Sequence, residues 1–257
     1  MVRGEGYGIA CELTSGECLV ENNIFKHLRH SMLLQSSANG NVFAYNYSIE
    51  PYKSESFPND LSADIALHGN YPYLNLFEGN IAQNISIDAA HGINGPFNTF
   101  FRNRAASYGI SISSGGGDSS NLIGNEITST TFLKGNYLLQ GSGNQEYANN
   151  KNNTIIPAGT AALSDTSYIY NATPGFWNIA ASWPSIGFPN SLNSGTIPAT
   201  ARYLARNNIA DCASPVASIY TITGNGNWSD PGNWSNNLVP PIRLSIGSEI
   251  IIDPPTG

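Results

Sequence analysis

The stretch GNVFAYNYS, residues 40–48, sets one Asn at position 41 and a second at position 46 around a short apolar run. The same arrangement returns as GECLVENN (16–23), LNLFEGNI (74–81), FNTFFRNR (97–104), SNLIGNEI (120–127) and GNQEYANN (143–150). Its leading positions are Glu17, Asn41, Asn75, Asn98, Asn121 and Asn144, at intervals of 24, 34, 23, 23 and 23 residues. A period held this closely marks a repeat architecture, in which each unit buries its apolar face only against its neighbours. The trailing Asn falls at Asn22, Asn46, Asn80, Asn103, Asn125 and Asn149, where it suits a left-handed turn and can bond coil to coil.

Two residues after the leader stand Leu19, Phe43, Phe77, Phe100 and Ile123, which stacked at the strand spacing of ~4.8 Å would form one internal column. Glu146 breaks the column in the last coil and marks a capped or frayed end. Each coil holds a further strand: IACEL (9–13), SMLLQ (31–35), ADIAL (63–67), ISIDA (85–89), GISIS (109–113) and NYLLQ (136–140). Short strands between Gly, Asn and Ser turns, with no helix-length periodicity, predict an all-β fold, a parallel β-helix over residues 1–156.

Beyond it, residues 157–218 are rich in Pro and aromatics and read as an irregular tail or cap lying on the solenoid. Residues 219–257, with NWS at 227–229 and 233–235, read as the start of a second small β module. The 34-residue interval is assigned to an inserted loop at 47–62, and in repeat proteins insertions gather on the binding face.

Composition narrows the function. The chain has 257 residues, 11 Lys+Arg against 18 Asp+Glu, and a formal net charge of −7, which argues against binding a phosphate backbone. Only 11% of residues are charged, well under the roughly 25% usual for soluble domains, so Asn, Ser, Thr and Tyr supply the polar surface. That composition suits a secreted or cell-surface protein. No apolar run reaches the ~18 residues of a membrane span. MVRGEGYG lacks an apolar signal core, so Met1 is read as a start inside a longer precursor carrying further modules. Cys11 and Cys18 are close enough to form a disulfide or to remain two buried thiols, and Cys212 stands apart.

The coil period, the Asn ladder and the run from HLRHSMLLQ (27–35) through LHGNYPYLNLFEGN (67–80) resemble right-handed parallel β-helix proteins of the pectate-lyase-like superfamily. ATPGFW (172–177), WPSIG (183–187) and IPATARY (197–203) are similar to segments that follow the solenoid in secreted bacterial members, and NWSDPGNWS looks like modules of large Bacteroidetes surface proteins. The resemblance implies engagement of an extracellular polysaccharide, as a lyase or hydrolase or as a non-catalytic adhesion module. Lyases of the group use Arg or Lys as base, often with calcium, and hydrolases an Asp cluster. This chain has no dense Asp cluster, and calcium is implied only by the resemblance.

Two constellations carry candidate chemistry. FKHLRHS (25–31) concentrates Lys26, His27, Arg29 and His30, suited to holding a carboxylate or moving a proton near neutral pH, or else to a solvated strand edge. Glu12, Gln35, His68 and Asp88 close successive strands and are expected in one polar row, which His91 could join as an acid–base pair; a hydrogen-bonded strand-end ladder fits the same residues. The candidate catalytic residues are therefore Arg29, His30, His68, Asp88 and His91. Exposed Tyr45, Tyr47, Tyr52, Tyr71 and Tyr73 are expected around the insertion, and Lys26, Tyr47, Tyr52 and Tyr71 are the candidate substrate contacts.

Overall fold

The computed structural model describes residues 6–52, 63–205, 219–222, 227–235, 237, 239–240 and 249–252. It divides into two compact units, Met1–Ala205 and Arg206–Gly257. The first is a parallel β-solenoid of about six turns.

The first wall stacks β1 (Tyr7–Cys11), β4 (His30–Leu34), β7 (Ile65–Gly69), the end of β9 (Ile81–His91), the end of β11 (Arg104–Ile112) and β14 (Asn136–Leu139). The second wall is a six-stranded sheet of three-residue strands: β2 (Leu19–Glu21), β5 (Val42–Ala44), β8 (Leu76–Glu78), β10 (Thr99–Phe101), β12 (Asn121–Ile123) and β15 (Gln145–Tyr147). The third joins β3 (Ile24–Lys26), β6 (Tyr47–Ile49), the starts of β9 and β11, β13 (Glu126–Ile127) and β16 (Asn149–Lys151). Strand β17 (Thr154–Ile156) folds back antiparallel on β16 and ends the regular stack.

Inside, Phe43 stacks on Phe77 at 5.3 Å and Phe77 on Phe100 at 5.0 Å with an interplanar angle of 3°. The column runs Val20, Phe43, Phe77, Phe100, Leu122, so Leu19 and Ile123, expected in it, stand one residue off and point outward. First-wall columns such as Met32, Ile65, Ile85 and Ile110 complete an apolar interior.

The trailing ladder is Asn23, Asn46, Asn80, Asn103, Asn125 and Asn149, at separations of 23, 34, 23, 22 and 24 residues. The leading ladder is Cys18, Asn41, Asn75, Asn98, Ser120 and Asn144, so Asn121 and Glu17 flank it instead of joining it. The slip has a cause: neighbouring coils of 22 and 24 residues offset each other, and alignment on the nearest Asn hides this.

The left-handed residue is also not the ladder Asn but the one before it: Asn22, Tyr45, Gly79, Arg102, Gly124 and Ala148 have φ of 52–65°. The leading ladder repeats this with Glu17, Gly40, Leu74, Phe97, Ser119 and Gly143. Each such residue bends the chain between walls and turns the following side chain inward.

Residues 157–205 lie across the second and third walls. Ile186, Ile197 and Ala199 bury Tyr45, Tyr47 and Ile81, with Phe176, Trp177 and Trp183 around them. Tyr45 donates to Glu78 Oε1 (3.1 Å), Tyr168 N donates to Glu78 Oε2 (2.8 Å), and Trp183 Nε1 donates to Tyr45 Oη (2.9 Å). Burial raises the Glu78 carboxyl above its usual range, opposed by the donors from Ser167, Tyr168 and Tyr45. Helix α1 (Pro198–Ala205) closes this region; Pro at its first position is compatible with helix, which the sequence reading passes over.

In the second unit, β18 (Ile219–Ile222) pairs parallel with β19 (Glu249–Ile252), and Trp228 and Trp234 meet edge to face at 4.7 Å. Cys11 is buried and Cys18 exposed, and both are free. Cys212 and residues 53–62 of the insertion lie outside the described residues.

Candidate functional site

The pairing Cys11, Leu34, Leu67, Ile87 across β1, β4, β7 and β9 sets the next residues, Glu12, Gln35, His68 and Asp88, side by side along the first wall. Gln35 Nε2 donates to Glu12 Oε1 at 2.6 Å, and His68 Nδ1 lies 2.8 Å from Asp88 Oδ2. The other Asp88 oxygen accepts from Ala90 N at 2.9 Å, so the carboxylate is fixed at both ends. With Nδ1 donating to Asp88, His68 Nε2 is left as a proton acceptor.

A register shift after Leu67/Ile87 pairs Gly69 with His91 and loops out Ala89 and Ala90. A bulge of this kind re-aims a side chain. It brings His91 edge to face with His68 at 4.7 Å, and His91 is exposed to solvent. Gly69 is required here: its φ is +94°, and a Cβ would lie 2.5 Å from Gly92 O.

His30 extends the cluster, its ring 5.4 Å from His68 and 5.2 Å from Tyr7. It is fully buried, Nδ1 lies 2.9 Å from Ala63 O, and its buried Nε2 has no partner. Burial lowers its pKa to about 4 against the pull of the Ala63 carbonyl, with His68 and Arg29 adding to the depression and Asp88 opposing it. Neutral His30 therefore donates Nδ1–H to Ala63. Arg29 reaches outward, its Nη1 3.3 Å from Tyr7 Oη and its guanidinium 6.0 Å from that ring.

His30, His68, Asp88 and His91 thus converge, with Arg29 at the margin. His68 and Asp88 are nearly buried, 6% and 4% exposed, so the cluster opens to solvent through His91 and the Tyr7–Arg29 pair. The substrate contacts proposed from sequence do not gather here as a set. Lys26 pairs with Glu50 at 3.6 Å and lies 5.8 Å from the Tyr203 ring. Tyr47, expected exposed, is buried against Tyr203 because the tail covers the third wall, and Tyr45 is buried beneath the same tail. Tyr52 meets His27 edge to face at 5.4 Å. Tyr71 is exposed, 6.0 Å from Tyr73, and its N–H bonds to Ile93 O on the turn just past His91.

Among the described residues no group of three or more His, Cys, Asp or Glu is placed to hold a metal ion. Tyr7 joins the cluster without having been among the expected residues; it pairs with His30 across β1 and β4, and the signal in the sequence was their 23-residue spacing, one coil period. No protein-family model matches the chain, and comparison with curated proteins and with solved structures found no significant match.

Proposed function

We propose that the chain is a secreted or cell-surface solenoid that engages an acidic extracellular polysaccharide on the outer edge of its first wall and cleaves it by β-elimination. The observation that supports this reading is the Asp88-oriented His68, 2.8 Å from its carboxylate, beside solvent-facing His91. In the proposed step His68 Nε2 takes the proton next to the uronate carboxylate, and the electron pair forms the ring double bond. The glycosidic C–O bond at the β carbon breaks, and the departing sugar oxygen takes a proton from His91 or water. Arg29 holds the carboxylate, a local contact that must act against the net charge of −7.

Hydrolysis fits less well. Glu12 and Asp88 are three strand spacings apart, about 14 Å, beyond the ~5–9.5 Å that paired catalytic carboxylates span. The near burial of His68 and Asp88 favours a second reading, a non-catalytic glycan-binding module in which the row is a structural ladder.

Incubation with pectate, alginate and a glycosaminoglycan separates the two. The lyase reading expects ultraviolet absorbance from the unsaturated product, abolished in His68→Ala and at least about tenfold lower in Arg29→Ala. Silence on all three substrates, with wild-type protein still retained on a glycan array, overturns catalysis and leaves the binding module.

A further inference from the structure

The outer face of the second wall carries a groove that residues 162–168 of the tail border on one side. Two adjoining depressions of about 450 and 390 Å³ share Ile123 and Tyr168. The larger is lined by Leu74, Leu76, Phe97, Thr99, Asn121 and Tyr168, among others.

Leu74 and Phe97 are each 55% exposed and held at φ of 55° and 63°, at the position just before the leading ladder where other coils place Gly40 and Gly143. A bulky L residue in that conformation is strained, and these two recover little of the cost by burial. Tyr168 is 46% exposed, its ring steadied against Phe101 at 4.2 Å between centroids. Because Ser120 takes the ladder position, Asn121 faces outward; its Nδ2 donates to Thr99 Oγ1 at 3.0 Å, and its carbonyl oxygen remains available to accept. The groove therefore offers aromatic faces, an amide and hydroxyls, with no Lys, Arg or His in its lining.

We propose that this groove binds a neutral oligosaccharide lying along the solenoid axis, with pyranose rings against Phe97 and Tyr168 and hydroxyls bonded to Asn121 and Thr99. Apolar faces with a few placed polar groups match the two sides of a pyranose ring. An acidic sugar would meet Asp165 in the lining, while Arg102 beside it is buried and already donates to the Asp165 carbonyl. The groove is on the second wall and the histidine cluster on the first, so this binding does not depend on the lyase reading.

Calorimetric titration of the full chain with cellohexaose, xylohexaose and laminarihexaose tests it. At least one probe is expected to bind, and both Phe97→Gly and Asn121→Ala to weaken that binding by about tenfold, the scale of one aromatic or hydrogen-bonded contact. Phe97→Gly should melt at the same or a higher temperature, since Gly adopts this backbone without strain. His68→Ala should bind as wild type. The proposal is overturned if no probe binds, if either groove variant binds as wild type, if affinity falls only together with melting temperature, or if His68→Ala abolishes binding.

Discussion

Asn80 illustrates how single residues hold this stack. Its Nδ2 donates to Asn103 Oδ1 and Phe43 O, and its Oδ1 accepts from Asn46 N and Asn46 Nδ2, so a buried amide is satisfied on every side. His30 is the counter-case, a buried ring with one nitrogen unpaired, packed among Tyr7, Arg29, His68 and Asp88. Its pKa is about 4 when folded against about 6.5 when unfolded. Between those values the unfolded chain binds a proton that the folded chain rejects, so the contribution is complete above pH ~6.5 and is lost as pH falls toward about 4. Glu78, raised by burial, pulls the opposite way on acidification, so the difference between proteins is the informative quantity. Urea unfolding of wild type against His30→Gln should show a gap that shrinks by roughly 3 kcal/mol from pH 7 to pH ~4. A gap constant with pH would mean that His30 is not held neutral.

At the scale of elements, the tail is fastened by charges that the coils bury. Glu126, fully buried, accepts from Arg104 Nε at 2.7 Å, Gly187 N at 2.7 Å and Asn193 N at 3.2 Å, while Arg104 Nη1 donates to Gly195 O at 2.8 Å. Glu126→Ala leaves the Arg104 cation uncompensated and should cost about 3–5 kcal/mol. It should also free residues 187–195, so limited proteolysis is expected to cut there first in the variant, and an unchanged fragment pattern would refute the clamp. The coils themselves were legible in the sequence because the column and ladders repeat chemically alike residues at near-equal spacing. The polar row Glu12, Gln35, His68, Asp88 was legible for the same reason, its strands being of similar length. That a tail lies on the solenoid was legible too, from its Pro and aromatic content, but the residues that fasten it were not. Glu78, Glu126 and Arg104 look like ordinary outward strand positions, and Arg102 like an ordinary turn residue, until a distant segment covers them. The groove beside Phe97 was equally hidden, because its rim comes from Tyr168 and from a one-residue slip at Asn121.

For the solenoid as a whole, each coil is stabilised by its neighbours, and the last one must end the stack without inviting another chain. Strand β15 is an edge of the second wall, yet it places Glu146 where the internal column would continue. Tyr137 donates to Glu146 Oε2 at 2.9 Å, and Asn149 Nδ2 lies 3.1 Å from the same hydroxyl, so a small polar network closes the interior. The Glu146 charge also lifts the Tyr137 hydroxyl pKa, after the larger effect of burial. This carboxylate works against edge pairing as well as capping the core, since a second chain adding a strand to β15 would have to desolvate it. Glu146→Leu extends the apolar column to the exposed edge and removes that penalty. The variant should keep its β-sheet circular dichroism but elute as concentration-dependent oligomers, where wild type elutes independently of concentration. If it stays independent of concentration over the same range, Glu146 is a packing residue and the protection of this end lies elsewhere.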